Sequence, residues 1–150
     1  MDKISADRRG HNMQRIRSQN TKPELRVRRL IYAMGYRYRI NLKDLPGKPD
    51  IVFLSKKRAI FVHGCFWHQH TDPKCQYTHS PQSRRAYWIP KLDNNVKRDE
   101  ENLLKLKRLG WDTLVIWECA LERPSNVTHM LIEFLGAPKI ALGQERQGKT

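Results

Sequence analysis

The segment 63–90 most strongly constrains the fold, because it shows neither the 3.6-residue period of a helix nor the alternation of a strand. It is rich in Cys, His, Trp, Pro and Arg. An irregular connection of about 28 residues is uncommon inside a compact domain, and it usually has a function. The sequence therefore predicts a functional or metal-clamped loop that the surrounding elements must hold in place.

Potential metal ligands are concentrated at the start of this loop, where thirteen residues include His63, Cys65, His68, His70 and Cys75. Structural zinc takes four thiolate or imidazole ligands in a tetrahedron. Cys119 ends a predicted strand and can return to the same place. A zinc site of Cys65, His70, Cys75 and Cys119 would tie the loop to the sheet. The alternative is three ordinary thiols, since Cys is often buried.

A helix, a strand and a hairpin are predicted before the loop. A capping box opens a helix over 21–35, in which apolar residues recur at helical spacing. Residues 36–40 alternate like a strand that is exposed on one side. The apolar runs 51–54 and 59–62 are separated by a turn, which predicts a β-hairpin with both strands largely buried.

The chain after the loop is predicted to form a helix, a strand and a second helix. The first helix covers 95–109, and the third central strand covers 111–117, with Trp111 and Trp117 in the core. Ser125 is the predicted N-cap of the last helix. Together these elements indicate an α/β fold in which a mixed central β-sheet is flanked by helices.

The formal net charge of +14 on 150 residues indicates a polyanionic partner, most simply nucleic acid. The alternatives are a merely solubilising surface and contact with a membrane surface, although a balanced surface would solubilise equally well. Residues 1–20 are predicted to be a basic N-terminal arm that orders on phosphates. Residues 21–136 are predicted to form the folded domain, and residues 137–150 a flexible tail.

The cellular compartment is inferred from three features that the sequence does not show: a membrane span, a signal peptide and a set of paired cysteines. No run has the length and apolar character of a membrane span, and the first residues do not form a signal peptide. Three cysteines cannot all pair with one another, and reduced thiols are the rule inside the cell. We therefore expect a cytoplasmic protein with no membrane partner and no disulfide framework.

Two carboxylates are candidates for binding a hard cation. Asp50 heads a buried strand directly after the turn 45–49, and Mg²⁺ commonly takes one or two protein carboxylates together with phosphate oxygens. The alternative is that Asp50 caps the preceding turn. For Glu24 the alternative is stronger, because the capping box already accounts for it.

Two histidines outside the predicted zinc site, His63 and His68, are candidates for proton transfer. His63 ends a buried strand and His68 lies beside the metal ligands, so both are expected near the edge of the sheet. A neutral imidazole near pH 7 accepts a proton from water. The alternative for each is a structural role.

Aromatic residues outside the regular elements are candidates for contact with bases. Phe66 and Trp67 lie in the loop, and Tyr87 and Trp88 are predicted to lie in a second irregular stretch beside Arg84, Arg85 and Lys91. Such a mixture suits a base stack or a wedge between base pairs. The alternative is that Trp67 packs over the metal site and Trp88 over the sheet.

Six motifs occur in the order in which the very-short-patch repair endonuclease family has them, and the chain resembles that family over about residues 8–122. The motifs lie at 45–50, 60–68, 87–91, 95–99, 109–111 and 115–119. Gly-Cys-Phe-Trp-His at 64–68 and Trp-Glu-Cys at 117–119 are the most specific. Asn12, Met13 and residues 16–18 also fit the family pattern.

The resemblance implies a PD-(D/E)XK restriction-endonuclease-like fold with a structural zinc site. It implies an enzyme that nicks double-stranded DNA beside a T:G mismatch, the product of 5-methylcytosine deamination. Asp50 and the backbone carbonyl of Val62 would bind catalytic Mg²⁺, and Glu24 would hold metal-bound water. His68, assisted by His63, would be the general base, since the second acidic residue and the lysine usual in this fold are absent after Asp50.

The resemblance also implies how the DNA is held. Phe66, Trp67 and Trp88 would wedge into the duplex next to the mismatch, and the arm around Asn12 would close over the DNA. The further DNA-binding residues expected are Met13, Arg15, Arg17, Lys91 and Asn95. We expect a monomer, and the family suggests a mismatch-repair protein as a further partner.

Two other functions compete with this hypothesis. One is a nuclease of the same fold with another DNA target, such as a junction or an unmodified duplex. The other is a non-catalytic, zinc-stapled DNA-binding module, which would show salt-sensitive binding without Mg²⁺-dependent cleavage.

Overall fold

The computed structural model describes residues 21–137, and the regular elements of that part are three helices and three strands. In chain order they are α1 (Lys22–Ala33), β1 (Ile51–Phe53), β2 (Arg58–His63), α2 (Arg85–Arg108), β3 (Asp112–Trp117) and α3 (Pro124–Leu135). Short 3-10 turns follow β1 and β3. The predicted arm with Asn12, Met13, Arg15 and Arg17 lies outside the described residues, as does the predicted tail from residue 138 onward.

The three strands form one mixed sheet, as the sequence predicted, and the structure shows their order to be β1-β2-β3. β1 and β2 are the antiparallel hairpin, with Ile51 opposite Ile60. β2 and β3 are parallel, with His63 opposite Trp117 at their carboxyl ends. The chain therefore leaves both strands at the same edge of the sheet.

Helices α1 and α3 supply the apolar side chains that cover the sheet. α1 places Val27 and Ile31 at helical spacing, and both are fully buried. The core also includes residues from the strands and from α3, among them Ile51, Ile60, Ile116, Val127 and Leu131. Within residues 21–137 no helix is both long enough and apolar enough to cross a bilayer.

The N-terminus of α1 shows only half of the predicted capping box. The Thr21 hydroxyl accepts a hydrogen bond from the backbone N–H of Glu24 at 3.3 Å. The Glu24 carboxylate does not return to the cap; it accepts a hydrogen bond from Arg28, one turn further along the helix. The explanation of Glu24 as a cap residue is therefore wrong, and its carboxylate is available to the interior.

The strand predicted at 36–40 is reduced to one bridge. Arg39 and Val52 exchange two backbone hydrogen bonds of 2.9 Å, and no further pair follows. Asn41 has a φ of 61°, in the left-handed region, which turns the chain away from the edge of β1. The alternation of apolar and basic residues at 36–40 predicted a strand, but the turn at Asn41 limits its pairing with β1 to the single bridge.

Helix α2 begins at Arg85, ten residues before the predicted start, so Trp88 lies in its first turn and not in a loop. Pro90 suggested an irregular segment, but it lies close to the N-terminus of the helix, where its missing N–H leaves a single carbonyl without its helical bond. The irregular segment therefore shortens to 64–84.

The N-terminus of α3 also differs from its prediction. The helix starts at Pro124 with Arg123 as N-cap, and Ser125 is already inside it. The fixed φ of proline suits the first helical position, which accounts for the shift.

Candidate active site and metal centre

A cavity of about 530 Å³ opens between the N-terminus of α1, the carboxyl end of β2 and the middle of α2. Six of its lining residues carry the chemistry: Glu24, Asp50, Val62, His63, His68 and Asp99. The first five were predicted as catalytic or Mg²⁺-binding residues, and the structure brings all of them to this cavity. Asp99, from α2, was not assigned a role.

Asp50 directs its carboxylate across the hairpin. Its Oδ2 accepts a hydrogen bond of 2.6 Å from the backbone N–H of Val62, so the side chain bonds to β2 and not to the preceding turn. Burial raises the pKa of Asp50 to about 7; the Val62 hydrogen bond opposes this rise, the charge of Glu24 adds to it and that of Arg28 reduces it. Among residues 21–137, therefore, no cation fully compensates this carboxylate.

Glu24 and Arg28 form a buried ion pair next to Asp50. Only 4% of Glu24 and 8% of Arg28 is exposed, and the two side chains are hydrogen-bonded. Glu24 thus faces the same cavity as Asp50 with its own charge largely compensated. The pair of carboxylates supplies oxygen ligands of the type that Mg²⁺ prefers.

His68 and Asp99, which also line the cavity, form a hydrogen-bonded pair. The Nδ1 of His68 lies 2.5 Å from Oδ2 of Asp99. A carboxylate bonded to Nδ1 holds the proton on that nitrogen and leaves Nε2 as a proton acceptor. The arrangement is suited to a general base whose ring is oriented by a carboxylate.

His63 stacks face to face on His68. The ring centroids are 3.8 Å apart and the planes differ by 5°. Burial lowers the pKa of His63 to about 4, the neighbouring His68 lowers it further, and Asp99 opposes the shift. His63 is therefore neutral at pH 7, and within residues 21–137 its buried Nδ1 has no hydrogen-bond partner.

The side chains of His63, His68 and Asp99 also lie close enough to hold a metal ion, since their ligand atoms are within 4.8 Å of one another. The parallel stacking of His63 on His68 argues against metal binding by these three side chains in their observed rotamers. An imidazole coordinates along a lone pair in the plane of its ring, and two parallel rings do not direct lone pairs to one point. The geometry favours proton transfer.

The four predicted zinc ligands converge beside this cavity. One Sγ or imidazole nitrogen from each of Cys65, His70, Cys75 and Cys119 lies within 4.8 Å of the others. All three cysteines are free of disulfides. Three thiols and one imidazole are the donor set of many structural zinc sites, so the residues present fit such an ion.

The parallel ends of β2 and β3 explain this convergence. Cys65 follows β2 by two residues, and its Sγ accepts a hydrogen bond of 3.4 Å from the backbone N–H of Cys119, which follows β3 by two residues. The His70 N–H donates to the carbonyl of Cys65 at 2.9 Å, which closes the loop. The His70 ring stacks on Trp117 at 4.1 Å.

The environments of the thiols differ. Burial raises the pKa of the Cys65 thiol. For Cys75, burial acts in the same direction but is outweighed by hydrogen bonds from the Thr78 hydroxyl, from the Tyr77 backbone and from His70, so that its pKa falls to about 6. Cys75 is thus stabilised as a thiolate, the form that ligates metals.

Phe66, Trp67 and Trp88 form what we call the aromatic cluster. The Phe66 ring lies 5.4 Å from Trp67 and 5.9 Å from Trp88, and the two tryptophans are 5.3 Å apart. All three side chains are only partly buried. Asn95 supports the cluster, because its Nδ2 donates to the carbonyl of Trp67 at 3.3 Å.

Sequence reasoning missed Asp99, although a signal was present. The inward positions of α2 are Leu92, Val96, Leu103 and Leu106, separated by the helical spacings four, seven and three. Asp99 occupies the position between Val96 and Leu103 in this otherwise apolar series. A carboxylate at such a position needs a partner, and His68 is that partner.

Trp117 was assigned to the core, but it is only partly buried and packs against His63 and His70.

Comparison with known proteins identifies relatives of this chain among DNA endonucleases. Residues 1–74 match the family model described as DNA mismatch endonuclease Vsr. The type II nicking enzyme V.XorIIP of Xanthomonas oryzae pv. oryzae is 48% identical over 120 residues, covering 80% of this chain and 86% of the relative.

Two further relatives are similar over the same length. The type II nicking enzyme V.NmeAIP of Neisseria meningitidis is 40% identical, covering 81% of this chain and 84% of the relative. The DNA mismatch endonuclease Vsr of Escherichia coli is 38% identical, covering 80% and 75%. The resemblance inferred from the motifs is confirmed: the chain belongs to the Vsr family of DNA mismatch endonucleases and is a DNA-cleaving hydrolase.

Proposed function

We propose that this endonuclease nicks double-stranded DNA beside T:G mismatches by Mg²⁺-dependent hydrolysis of one phosphodiester bond. The observation that carries the proposal is that Asp50 and Glu24 line the same cavity as the stacked His63 and His68. The names of the relatives support it, since one is a mismatch endonuclease and others are nicking enzymes.

Asp50 would bind the ion, with the Val62 carbonyl as a second ligand and Glu24 holding its water. Bound there, Mg²⁺ supplies charge stabilisation at the scissile phosphate. The protein holds Asp50 in place through the N–H of Val62, and it compensates Glu24 with Arg28, so that the Asp50 carboxylate, once it loses its proton, is the charge that remains for the cation.

His68 would remove a proton from the attacking water through Nε2. Asp99 orients the ring and stabilises the imidazolium that forms. His63 is neutral at pH 7, so His68 gains its proton without facing a second positive charge across the 3.8 Å stack. His63 therefore assists by its position and its lack of charge.

The aromatic cluster would provide the mismatch preference. Inserting side chains between base pairs costs unstacking energy, and that cost is lower at a mispair. Phe66 and Trp67 lie on the loop clamped by the four Cys and His residues, and Trp88 lies on α2. We propose that a structural Zn²⁺ at this clamp keeps the three rings at a fixed distance from the catalytic cavity.

A substrate panel tests the proposal. T:G, matched and junction duplexes are incubated with the full chain, with Mg²⁺ present or omitted. Preferential nicking of the T:G duplex that requires Mg²⁺ is expected. Equal cleavage of the matched duplex, or cleavage of the junction alone, would indicate the competing nuclease function with another DNA target.

Two variants test the assignment of the general base. His68→Ala is expected to retain DNA binding and to lose about 10²–10⁴-fold in the nicking rate. His129→Ala on α3 is the matched control, because that histidine is exposed on a helix whose inner face packs into the core. Full nicking by His68→Ala would remove His68 from the mechanism.

A further inference from the structure

Three residues at the start of α2 form a stripe, of which only Lys91 was expected to bind DNA, and the catalytic mechanism proposed above uses none of them. Arg84, Tyr87 and Lys91 are spaced by three and four residues, so they lie on one face of the helix. The guanidinium of Arg84 lies 5.0 Å from the centroid of the Tyr87 ring, and the Lys91 ammonium lies 5.4 Å from it. We call these residues the basic tyrosine stripe.

The Tyr87 side chain is more exposed than is favourable for a large aromatic ring. It has 45% of its surface accessible, although a tyrosine ring gains free energy when it is buried. The neighbouring Arg85 donates hydrogen bonds to the Pro81 carbonyl at 2.9 Å and to the Ser80 hydroxyl at 3.1 Å. Its guanidinium therefore binds the end of the irregular segment 64–84. Arg84 and Lys91 instead remain against the exposed ring.

The Tyr87 hydroxyl is prepared to donate a hydrogen bond outward. Lys91 donates to its oxygen at 3.3 Å, which leaves the hydroxyl proton free for an acceptor. Two cations next to that proton create a local positive potential. The matching ligand is therefore an anion with oxygen acceptors, and for a DNA endonuclease that anion is a backbone phosphate.

The stripe adjoins the aromatic cluster. The Tyr87 ring meets Trp88 edge to face at 5.1 Å. Asn95 lies one turn after Lys91 on the same face of α2, and it donates a hydrogen bond to the carbonyl of Trp67. The same helix face therefore contacts both the stripe and Trp67 of the aromatic cluster. A phosphate bound at the stripe would thus lie next to any base step that the cluster contacts.

We propose that Arg84, Tyr87 and Lys91 clamp one backbone phosphate of the DNA, with the Tyr87 hydroxyl positioning the Lys91 ammonium on it. The clamp reads no base, so it contributes equally to matched and mismatched DNA and fixes where the cluster meets the duplex. The inference requires DNA binding only, and it stands whether or not the aromatic cluster inserts or His68 is the general base.

Binding measurements with Tyr87→Phe test the clamp. Fluorescence anisotropy of the full chain on T:G and matched duplexes is recorded over an about sixfold range of KCl, from about 50 to about 300 mM, without Mg²⁺ so that no cleavage occurs. Loss of the hydroxyl is expected to weaken binding about three- to tenfold on both duplexes, the range for the net contribution of one ordinary hydrogen bond. Lys91→Met is expected to lower the slope of log K against log salt by about 0.9, as loss of one phosphate contact does.

Two comparisons complete the test. Tyr32→Phe is the matched control, because Tyr32 is also exposed and also carries an arginine, Arg37, 3.8 Å from its ring centroid, but lies at the far end of α1 from the cavity. It should leave affinity unchanged. In the Lys91→Met background, Tyr87→Phe should cost less than about twofold, because the two groups act on one phosphate.

Three results would overturn the proposal. They are unchanged affinity of Tyr87→Phe, a loss confined to the T:G duplex, and a loss that Tyr32→Phe reproduces. The first would mean that the stripe only stabilises the helix, and the second that Tyr87 reads the mismatch. Circular dichroism of each variant shows that α2 is intact, so a change in affinity reports the contact.

Discussion

Replacing Asp50 by Asn is expected to stabilise the metal-free protein while abolishing Mg²⁺-dependent nicking. Asn has nearly the shape of Asp, and its carbonyl oxygen still accepts the hydrogen bond from Val62. It lacks the charge whose burial raises the pKa of Asp50 to about 7. The substitution therefore removes an electrostatic cost that a bound cation would offset in the wild type.

The sign and size of the effect follow from the two pKa values. In the unfolded chain Asp50 ionises near 3.8, whereas in the folded protein it keeps its proton up to about pH 7. Wild-type stability therefore falls as the pH rises from about 4 to about 7, and it stays reduced above pH 7. Three pKa units correspond to about 4 kcal/mol, and because Asp50 is only partly buried we expect about 2 to 4 kcal/mol at pH 8.

Unfolding measurements at two pH values isolate this contribution. Wild type and Asp50→Asn are compared by thermal and denaturant unfolding at pH 8 and pH 5.5, with zinc supplied and Mg²⁺ omitted. At pH 8 the variant should melt roughly 5–15 °C higher, and at pH 5.5 about half of that gain should remain. Asp112→Asn is the control, because the Asp112 side chain is 76% exposed and should change stability by less than about 0.5 kcal/mol.

Two results would refute the reasoning. A variant no more stable than wild type at pH 8 would show that the Asp50 carboxylate is not desolvated. A gain of the same size at both pH values would show that its source is not the ionisation of Asp50. Addition of Mg²⁺ at pH 8 should stabilise wild type and leave Asp50→Asn unchanged; equal stabilisation of both would place the ion elsewhere.

Three further predictions concern the same centres. Because protons compete with the cation for Asp50, the apparent Mg²⁺ affinity measured by calorimetry should fall by up to about tenfold per pH unit below 7, and a flat profile from pH 8 to pH 6 would contradict this. Phe66→Ala should narrow the ratio of T:G to matched nicking rates, whereas an unchanged ratio would count against insertion. Cys119→Ser should release zinc to a chromophoric chelator and lower the free energy of unfolding by more than about 2 kcal/mol; zinc retained as in wild type would exclude Cys119 as a ligand.

Much of the scaffold was predictable because it depends on local chemistry. The runs 51–54 and 59–62 contain enough buried, β-forming side chains to specify a hairpin, and Thr21 marks the start of α1. The Cys and His residues could be grouped because the chain has only three cysteines and one long loop to anchor. The structure brings that group together at the ends of two parallel strands.

The charge partners in the cavity were not predictable in the same way. The pattern at 21–24 assigned Glu24 to a cap, but its carboxylate bonds to Arg28 and acts on Asp50. Pro90 favoured the prediction of an irregular segment at a position that belongs to α2, so Trp88 was not predicted to be helical. Glu24 thus pairs with a residue one turn along its own helix in place of the cap, whereas at Pro90 the helix continues against the local preference of proline.

The sequence by itself determined the ligand types, the apolar strands, the family and the positive charge that suits DNA. Only the tertiary structure decided which carboxylate orients His68, how His63 lies against it and why Asp50 has a pKa of about 7. Residue types and local spacing fix a residue's chemistry and its place on an element. Ionisation and proton transfer depend on contacts of 2.5 to 3.8 Å that residue types and local spacing do not specify. The contact between His68 and Asp99 joins the loop after β2 to α2, 31 residues further along the chain, and only the packing of these two segments sets its length.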